Sequence, residues 1–381
     1  MLVILADSPT PCRTVFYDAL AEEAARAGKR FNVFYCSKPS PRRSGIYDPS
    51  KIRHAHTVLR GFHPTILGVQ AHLNPGVLAE LNLLKPDTLI LAGAWNTPTM
   101  LIAGLNVYSP APRRFFWSHA MPDDNSKGFG LAAWLRRRIY RTYDGFVVPN
   151  ASSGEWALAQ AGGSRQLIEA SHLIDKEFFA PQAASCRHDA RSRLGFACNE
   201  RVLVQMPDLT KDKKVAELAR CFLGLSPDVR RGAKLIFIGD GEQRAYLEEL
   251  AAQSAGVVSV KAGLSSAEAL TMLLAADVFI SNGSLDASPI PMVEAVAAGL
   301  PIVLFHNSAK LREQVAIQHA GLLVGDPDNP AEVLRTVLKS SDDELVWRGE
   351  SPSRLFRGHF GASTLARSVI SQLYPSASWR P

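Results

Sequence analysis

The sequence predicts an α/β protein built from two doubly wound parallel sheets. Short apolar runs alternate with helical patterns along the 381 residues, which is typical of parallel strands covered by helices. A polar stretch of small residues interrupts this alternation near 180–200, after which the alternation begins again. Since the chain is long enough for two domains, we expect two doubly wound, Rossmann-like domains that face each other across a cleft.

The first half opens with an apolar run at 2–7 and a helical pattern at 14–28 that ends in a glycine. Because "MLVILADSPT" lacks a basic leader, we interpret it as a buried strand and not as a signal peptide. The other strands predicted in this half lie at 31–36, 87–93, 113–119 and 144–150, with helices around 75–84, 97–105 and 129–142.

The second half repeats the alternation. Its predicted strands lie at 201–206, 233–241, 257–263, 276–283 and 300–305, and its last helices at 331–340 and about 362–373. We therefore assign an N-terminal domain to 1–180, a linker to 181–200 and a C-terminal domain to 201–355. A helical segment at 356–381 is expected to pack back on the N-terminal domain.

The composition excludes several classes of protein. The chain is 46% hydrophobic and 20% charged, as an ordinary globular protein is, and no apolar run reaches the roughly 18 residues that span a bilayer. Its five cysteines are odd in number and form no CxxC pair. This pattern favours a reducing cytoplasm and argues against a structural zinc site.

The excess of positive over negative charge is confined to the first half. Residues 1–185 carry 20 Lys and Arg against 14 Asp and Glu, whereas residues 186–381 carry 22 of each sign, so the net charge of +6 belongs to the first half. It gathers at 38–60 and in "WLRRRIYRTY" (134–143). A basic face with aromatic residues is typical of contact with an anionic membrane surface, here the inner face of the cell membrane. The alternative is an ordinary solvated helix face, and we expect no nucleic-acid partner.

The loops that follow the predicted strands of the second half carry polar residues. They are "PDLTKDKK" (207–214), "GDGEQR" (239–244), "AGLSSAE" (262–268) and "NGSLDASPIP" (282–291). Ligands of parallel sheets bind at the carboxyl ends of the strands. Lysines, backbone amides and carboxylates at that edge suit a sugar nucleotide. Elsewhere, His54 and His56 have a spacing that suits zinc, but no third ligand is evident, and we expect no metal site.

Four segments of this half occur in a characteristic order: "GDGEQRAYLEEL", "AGLSSAEALTMLLAADVFIS", "DASPIPMVEAVAAGLPIV" and "HAGLLVGDPDNPAEV". Together they resemble the GT-B glycosyltransferases of the retaining family 4, in which two glutamates are separated by seven residues. Here Asp286 and Glu294 flank "ASPIPMV". In the first half, "WSHAMPDD" and "EASHLIDKEFFAP" are similar to family segments.

The resemblance implies a retaining glycosyltransferase with a GT-B fold. Such an enzyme moves a sugar from a UDP- or GDP-linked donor to a glycan or polyprenol-linked acceptor, in the assembly of a surface polysaccharide or glycolipid. It needs no cofactor, and since no convincing Asp-x-Asp motif is present, no metal either. Two alternatives stay open, namely a GT-B sugar-nucleotide epimerase and a sugar-nucleotide-binding partner without catalysis.

The resemblance also assigns residues to the site. The catalytic residues it implies are His119, Asp286 and Lys213. The donor-binding residues are Glu294, Lys211, Gly239, Gly241, Leu264, Ala287, Ser288 and Ile290. Arg13 and Trp95 are expected on the acceptor side.

Several positions depart from the family pattern. Asp208 stands where the family usually has an arginine that helps to hold the diphosphate, and Lys213 follows it at the spacing of the family's lysine. Asp286 replaces the first glutamate and Ala287 the glycine after it. We expect Glu294 to accept hydrogen bonds from the ribose hydroxyls, from the first turn of a helix that begins near Pro291. The alternative is that Glu294 only caps this helix.

Overall fold

The structure is a computed structural model. It describes residues 1–38, 52–66, 69–104, 112–118, 120, 130–170, 187–282, 290–305, 323–324, 329–341, 344 and 362–375. The chain divides into two compact units. The first contains Met1–Leu173 and Ala362–Pro381, and the second contains Ile174–Gly361.

The first unit is built on a parallel sheet of seven strands in the order β3-β2-β1-β6-β7-β8-β9. These strands are β1 (Leu2–Ala6), β2 (Phe31–Tyr35), β3 (His56–Val58), β6 (Thr88–Ala92), β7 (Arg113–Trp117), β8 (Gly145–Val148) and β9 (Gln166–Glu169). A separate antiparallel pair consists of β4 (Thr65–Ile66) and β5 (Val69–Gln70). The inner strands are apolar and buried on both faces, as strands of a helix-covered parallel sheet must be.

Helices cover this sheet, namely α1 (Pro11–Arg26), α2 (Val77–Leu84), α3 (Pro98–Gly104), α4 (Leu131–Tyr140) and α5 (Ala151–Ala161). α1 begins with Pro11, whose fixed φ and missing N–H suit the first helical position. α5 begins after Asn150, whose side chain accepts a hydrogen bond from the backbone N–H of Ser153 at 2.9 Å.

The second unit contains a parallel sheet of six strands in the order β12-β11-β10-β13-β14-β15. Its strands are β10 (Arg201–Gln205), β11 (Ala233–Ile238), β12 (Val258–Lys261), β13 (Val278–Ser281), β14 (Ile302–Leu304) and β15 (Leu323–Val324). Its helices are α6 (Arg187–Leu194), α7 (Val215–Leu223), α8 (Pro227–Arg230), α9 (Arg244–Ala252), α10 (Ser266–Ala275), α11 (Ile290–Ala297) and α12 (Pro330–Lys339).

The last helix, α13 (Ala362–Leu373), packs on α1 and belongs to the first unit. Its apolar side, which includes Leu365, Val369 and Leu373, lies in the same buried cluster as Phe16 and Leu20 of α1. The chain thus leaves the first unit at Leu173 and returns to it at Ala362. The corresponding boundaries predicted from the sequence are 180 and 356.

None of the helices in the described part of the chain combines the length and the hydrophobicity that crossing a bilayer requires.

Candidate functional site

The second unit brings four strand ends together at one edge of its sheet. β12, β11, β10 and β13 lie side by side and run parallel, so the loops that follow them emerge at the same edge. This is the edge at which open α/β sheets bind ligands. Of the residues predicted to bind the donor, most lie in or directly after these loops.

Two glycines allow the loops after β10 and β11 to touch. A Cβ atom on Gly239 would lie 2.2 Å from the carbonyl oxygen of Pro207, and one on Gly241 would lie 2.6 Å from the carbonyl oxygen of Leu209. No real Cβ atom comes so close to a backbone oxygen. Both positions therefore require glycine for a close approach of two backbones, which is a structural role beside the donor-binding role inferred from the sequence.

Backbone hydrogen bonds join these loops into one surface. The N–H of Leu209 donates to the carbonyl of Asp240 at 3.0 Å, and the N–H of Gln243 donates to the carbonyl of Leu209 at 2.8 Å. The loop after β13 is attached as well, because the side-chain amide of Asn282 donates to the carbonyl of Lys214 at 3.3 Å. A surface fixed in this way can present backbone amides and lysines to a ligand without reordering.

The two lysines of the predicted diphosphate site lie in a single 3₁₀ turn, Lys211–Lys213, after β10. Lys211 is exposed, and its backbone N–H donates to the carboxylate of Glu242 at 3.2 Å. Lys213 is buried. Asp208 is exposed.

Glu294 lies in α11, which begins at Ile290, so it is the fifth residue of the helix. Our expectation that it lies in the first turn was wrong, and the described first turn contains no acidic residue. A carboxylate beyond the first turn cannot cap the free N–H groups there. Burial raises the pKa of Glu294 to about 7, from an ordinary 4.5. No donor to its carboxylate is found among the described residues, so burial acts on this group without compensation.

In the loop after β12, Leu264 and Ser265 have structural roles. Leu264 is half-buried and packs against the hydrophobic cluster that contains Ile238 and Met292. Ser265 and Glu268 form a capping box at the start of α10, in which the Ser265 N–H donates to Glu268 at 2.7 Å. These hydrogen bonds lower the pKa of the Glu268 carboxyl.

Several predicted site residues lie outside the described residues, namely His119, Asp286, Ala287 and Ser288. Ile290 begins α11, and its side chain also lies outside the description.

In the first unit, both predicted acceptor-side residues lie near the carboxyl end of the sheet. Arg13, in the first turn of α1, donates to the carbonyl of Ala92 at the end of β6 at 2.9 Å. Trp95 follows β6 and packs, half-buried, against the cluster that contains Leu91 and Met100.

His54, one of the two histidines whose spacing suits zinc, is held by hydrogen bonds inside the first unit. The Nδ1 atom of His54 lies 2.6 Å from Asp18, and its Nε2 atom lies 3.0 Å from the hydroxyl of Tyr35. The ring is buried, and burial lowers the pKa of His54. Across the residues that the structure describes, no three His, Cys, Asp or Glu side chains come together as metal ligands would.

Sequence reasoning missed a second cluster of polar side chains, formed by Asp7, His63 and His72 in the first unit. Asp7 directly follows the apolar strand β1. This polar residue at the end of an apolar run was the sequence feature that could have indicated the cluster. The two histidines lie nine residues apart, on opposite arms of a hairpin that carries no recognisable turn motif.

Comparison with known proteins agrees with this architecture. Residues 187–355 match the family model "Glycosyl transferases group 1", a range that includes all four loops described above. The matched residues lie within the second unit, Ile174–Gly361. The resemblance to group 1 glycosyltransferases inferred from the four ordered segments is thereby confirmed.

Two curated glycosyltransferases are similar in sequence. Sulfoquinovosyl transferase SQD2 of Arabidopsis thaliana is 26% identical over 247 residues, or 61% of this chain and 45% of its own length. The GDP-mannose-dependent alpha-mannosyltransferase of Mycobacterium tuberculosis (strain CDC 1551 / Oshkosh) is 26% identical over 266 residues, or 70% of this chain and 61% of its own length. The chain thus spans less than two thirds of the length of either relative.

Solved glycosyltransferase structures share the fold over almost the whole chain. WaaG, a glycosyltransferase involved in lipopolysaccharide biosynthesis, is 15% identical and covers 99% of this chain and all of its own, with a TM-score of 0.68. Anabaena HepE, crystallised with UDP and glucose, is also 15% identical and covers 98% of both chains, with a TM-score of 0.69. The predicted GT-B fold is thus confirmed.

Proposed function

We propose that the protein is a retaining glycosyltransferase that takes a sugar from a nucleotide-sugar donor and transfers it to a glycan or polyprenol-linked acceptor. The observation that carries this proposal is the half-buried Glu294, in the unit that matches the glycosyltransferase family model. A buried carboxylate beside the carboxyl ends of parallel strands is costly unless a ligand supplies hydrogen bonds. Ribose hydroxyls of a donor nucleotide would supply them.

The donor is a UDP- or GDP-linked sugar in this proposal. HepE holds UDP and glucose, and the mycobacterial relative is named for its use of GDP-mannose. Gly239 and Gly241 keep the loops close, and Leu264 supports the loop after β12. Asp286 would contact the transferred sugar, while backbone amides at Ala287, Ser288 and Ile290 would face the diphosphate.

The reaction needs placement and charge stabilisation more than covalent chemistry. The donor would lose its nucleoside diphosphate through an oxocarbenium-like state, and the acceptor hydroxyl would attack from the same face. The departing phosphate would take the proton of that hydroxyl, and His119 would lie beside the reacting sugar. Lys213 would balance the negative charge that grows on the diphosphate, with Lys211 as a partial substitute, so that no divalent metal is required.

The test measures nucleoside diphosphate release from UDP-glucose and GDP-mannose in EDTA. We expect activity in EDTA and a loss on the order of a hundredfold in Lys213→Ala, the usual cost of removing one such contact. Lys211→Ala should lose less, and Lys339→Ala, which removes an exposed lysine of α12, should lose nothing. Loss of activity in EDTA with rescue by magnesium or manganese would show that a metal balances the charge instead.

The same assay separates the alternatives. Release that increases with an added acceptor supports a transferase, whereas a sugar-nucleotide epimerase would convert the donor without any external acceptor. A binding partner without catalysis would bind nucleotide and release nothing.

We also propose that α4, on the acceptor side, meets an anionic membrane surface. Its outer face exposes Leu131, Trp134 and Leu135, of which Trp134 is 59% exposed. Arg137 and Arg138 are exposed on the same short helix. Apolar and aromatic side chains next to arginines are typical of helices that lie at a bilayer surface.

The arginine run in α4 is divided between two roles. Arg136 is buried, lies over the Trp156 ring at 5.0 Å and donates to Gln160, so it connects α4 to α5. Only its neighbours Arg137 and Arg138 are available to phosphates. Such a contact would locate a lipid-linked acceptor for surface polysaccharide or glycolipid assembly at the inner face of the cell membrane.

Vesicle binding tests this part directly. We expect binding to vesicles that contain phosphatidylglycerol, weakening as salt is raised, and little binding to phosphatidylcholine alone. Replacing Arg137 and Arg138 by glutamate, or Trp134 by alanine, should weaken binding, whereas Arg220→Glu on α7 should not. Equal binding to neutral and anionic vesicles would contradict the electrostatic contact.

A further inference from the structure

Asp7 and Gly93 lie side by side at the carboxyl edge of the first unit's sheet. β1 and β6 are neighbours, with Ala6 paired to Ala92, and each of the two residues directly follows its strand. A Cβ atom on Gly93 would lie 2.3 Å from the Oδ1 atom of Asp7. Glycine at position 93 therefore leaves the space that the Asp7 carboxylate occupies.

The Oδ1 atom of Asp7 is buried and has no hydrogen-bond partner among the described residues. A buried polar atom without a partner costs about 1–3 kcal/mol, so it needs an explanation. Burial raises the pKa of Asp7, while the nearby charges of His72 and Arg13 and the N–H of Ala94 act in the opposite direction. Arg13 is already engaged, because it donates to the carbonyl of Ala92.

Two histidines lie on a hairpin beside this carboxylate. The hairpin pairs Phe62 with Leu73 and continues through β4 and β5, so His63 and His72 stand opposite each other. Their Nδ1 atoms are 3.2 Å apart. At this distance only one of the two nitrogens can carry a proton, and burial lowers the pKa of both rings.

The hairpin is held firmly against the sheet. The hydroxyl of Thr99, in α3, donates to the carbonyl of His72 at 2.9 Å and meets the side chain of Asn74 at 2.8 Å. Asn74 in turn donates to the carbonyl of Cys36 after β2 at 2.9 Å. His72 is therefore fixed in place near Asp7, and His63 lies against it across the hairpin.

The chemistry of this cluster selects among ligands. A carboxylate oxygen without a donor is satisfied by a hydroxyl group, which brings its own proton. An ionised phosphate or carboxylate has no such proton to donate to Oδ1, and it would place a second negative charge beside Asp7.

We propose that Asp7, with His63 and His72, forms a subsite for a hydroxyl group of a neutral sugar in the acceptor. This inference rests on the proposed glycosyltransferase function and names the substrate class of its acceptor side. Asp7 accepts the hydrogen bond of the sugar hydroxyl, and the histidine pair offers one further donor or acceptor.

Saturation-transfer NMR tests the subsite without any donor. The probes are the methyl glycosides of glucose, mannose and galactose, with glucose 6-phosphate as the anionic comparison. We expect at least one neutral glycoside to bind and glucose 6-phosphate to bind more weakly. Asp7→Asn should raise the dissociation constant about tenfold, as expected when a charge-assisted hydrogen bond becomes a neutral one.

Gly93→Ala provides a second variant that keeps the charge of Asp7 but displaces its carboxylate, and it should weaken glycoside binding similarly. Gly76→Ala is the matched control, because a Cβ atom there meets nothing within 4 Å. Unchanged glycoside binding in Asp7→Asn, stronger binding of the phosphorylated sugar, or no binding of any neutral glycoside would overturn the proposal. UDP and GDP titrations of the same samples test the proposed function separately, because they report on the second unit alone.

Discussion

At the scale of single residues, Glu294 shows how the burial of a carboxyl group can oppose stability. Burial favours its protonated form, and its pKa is about 7 in the folded protein against an ordinary value of 4.5. A raised folded-state pKa contributes stability that is fully present below about pH 4.5 and is lost as the pH rises through about 7. Above that range the half-buried carboxylate destabilises the free protein.

We therefore predict that Glu294→Gln stabilises the free protein at pH 8 and changes little at pH 5. The gain at pH 8 is at most about 3 kcal/mol, from the size of the pKa shift. The same variant should bind donor nucleotide more weakly, since a charge-assisted hydrogen bond contributes roughly 1.5–3 kcal/mol. Urea denaturation at both pH values and nucleotide titration measure the two effects.

The control for this prediction is Glu249→Gln, which changes an exposed glutamate of α9. It should leave both the stability difference and the nucleotide affinity unchanged. If Glu294→Gln alters stability equally at pH 5 and pH 8, the ionised carboxylate is not the source of the cost.

At the scale of elements, the sequence predicted those whose patterns are long and apolar. β1, β6, β10 and β11 were recognised because buried parallel strands read as continuous apolar runs. The strands that were missed are β3, β4, β5, β9 and β15. They are two to four residues long, and all but β15 contain polar residues, so their formation depends on the neighbouring strands and not on local pattern.

The candidate site was predictable to a similar degree. Ordered motifs indicated the loops around Lys213 and Glu294, because these motifs are local in sequence. The subsite around Asp7 and the environment of His54 could not be found in this way. Asp18 and His54 are 36 residues apart in the chain, and no local spacing indicates that they form a hydrogen bond.

The contact between the loops after β10 and β11 gives a prediction at this scale. Gly241→Ala should push a Cβ atom into the backbone of Leu209 and separate the two loops, so nucleotide affinity and melting temperature should both fall. Gly76→Ala is again the control, because φ of Gly76 is −77° and its Cβ position is open. Nucleotide titration and thermal denaturation measure both outcomes, and unaltered affinity in Gly241→Ala would show that the loop contact does not shape the donor site.

A second prediction concerns the segment that precedes β3. Asp18 of α1 accepts hydrogen bonds from the N–H of Arg53 at 3.1 Å and the N–H of His54 at 2.8 Å, and its carboxylate also meets the His54 ring. Asp18→Asn should weaken these charge-assisted bonds and reduce the free energy of unfolding by about 2 kcal/mol. Urea denaturation measures the loss.

The control for Asp18→Asn is Asp228→Asn. This variant removes the ion pair between Asp228 and Arg231, whose side chains are both more than 80% exposed. Exposed pairs contribute little, so this variant should unfold like the wild type. Equal effects of the two substitutions would mean that the buried position of Asp18 adds nothing.

At the scale of the whole molecule, the chain forms two compact units with separate hydrophobic clusters. α13 lies at the far end of the sequence, yet it packs in the cluster of the first unit, where Leu373 is fully buried. The stability of the first unit thus depends on residues that follow the whole second unit. The unit that we propose to bind nucleotide is therefore different from the unit that α13 stabilises.

We predict that calorimetry resolves two unfolding transitions. Leu373→Ala should lower only the transition of the first unit, because truncating a buried leucine costs about 2–5 kcal/mol. Saturating UDP or GDP should raise only the transition of the second unit, by about 2.7 kcal/mol at a hundred times the dissociation constant. Ser371→Ala, at an exposed position of α13, is the control and should move neither transition. A single transition that responds to both Leu373→Ala and nucleotide would show instead that the two units unfold as one.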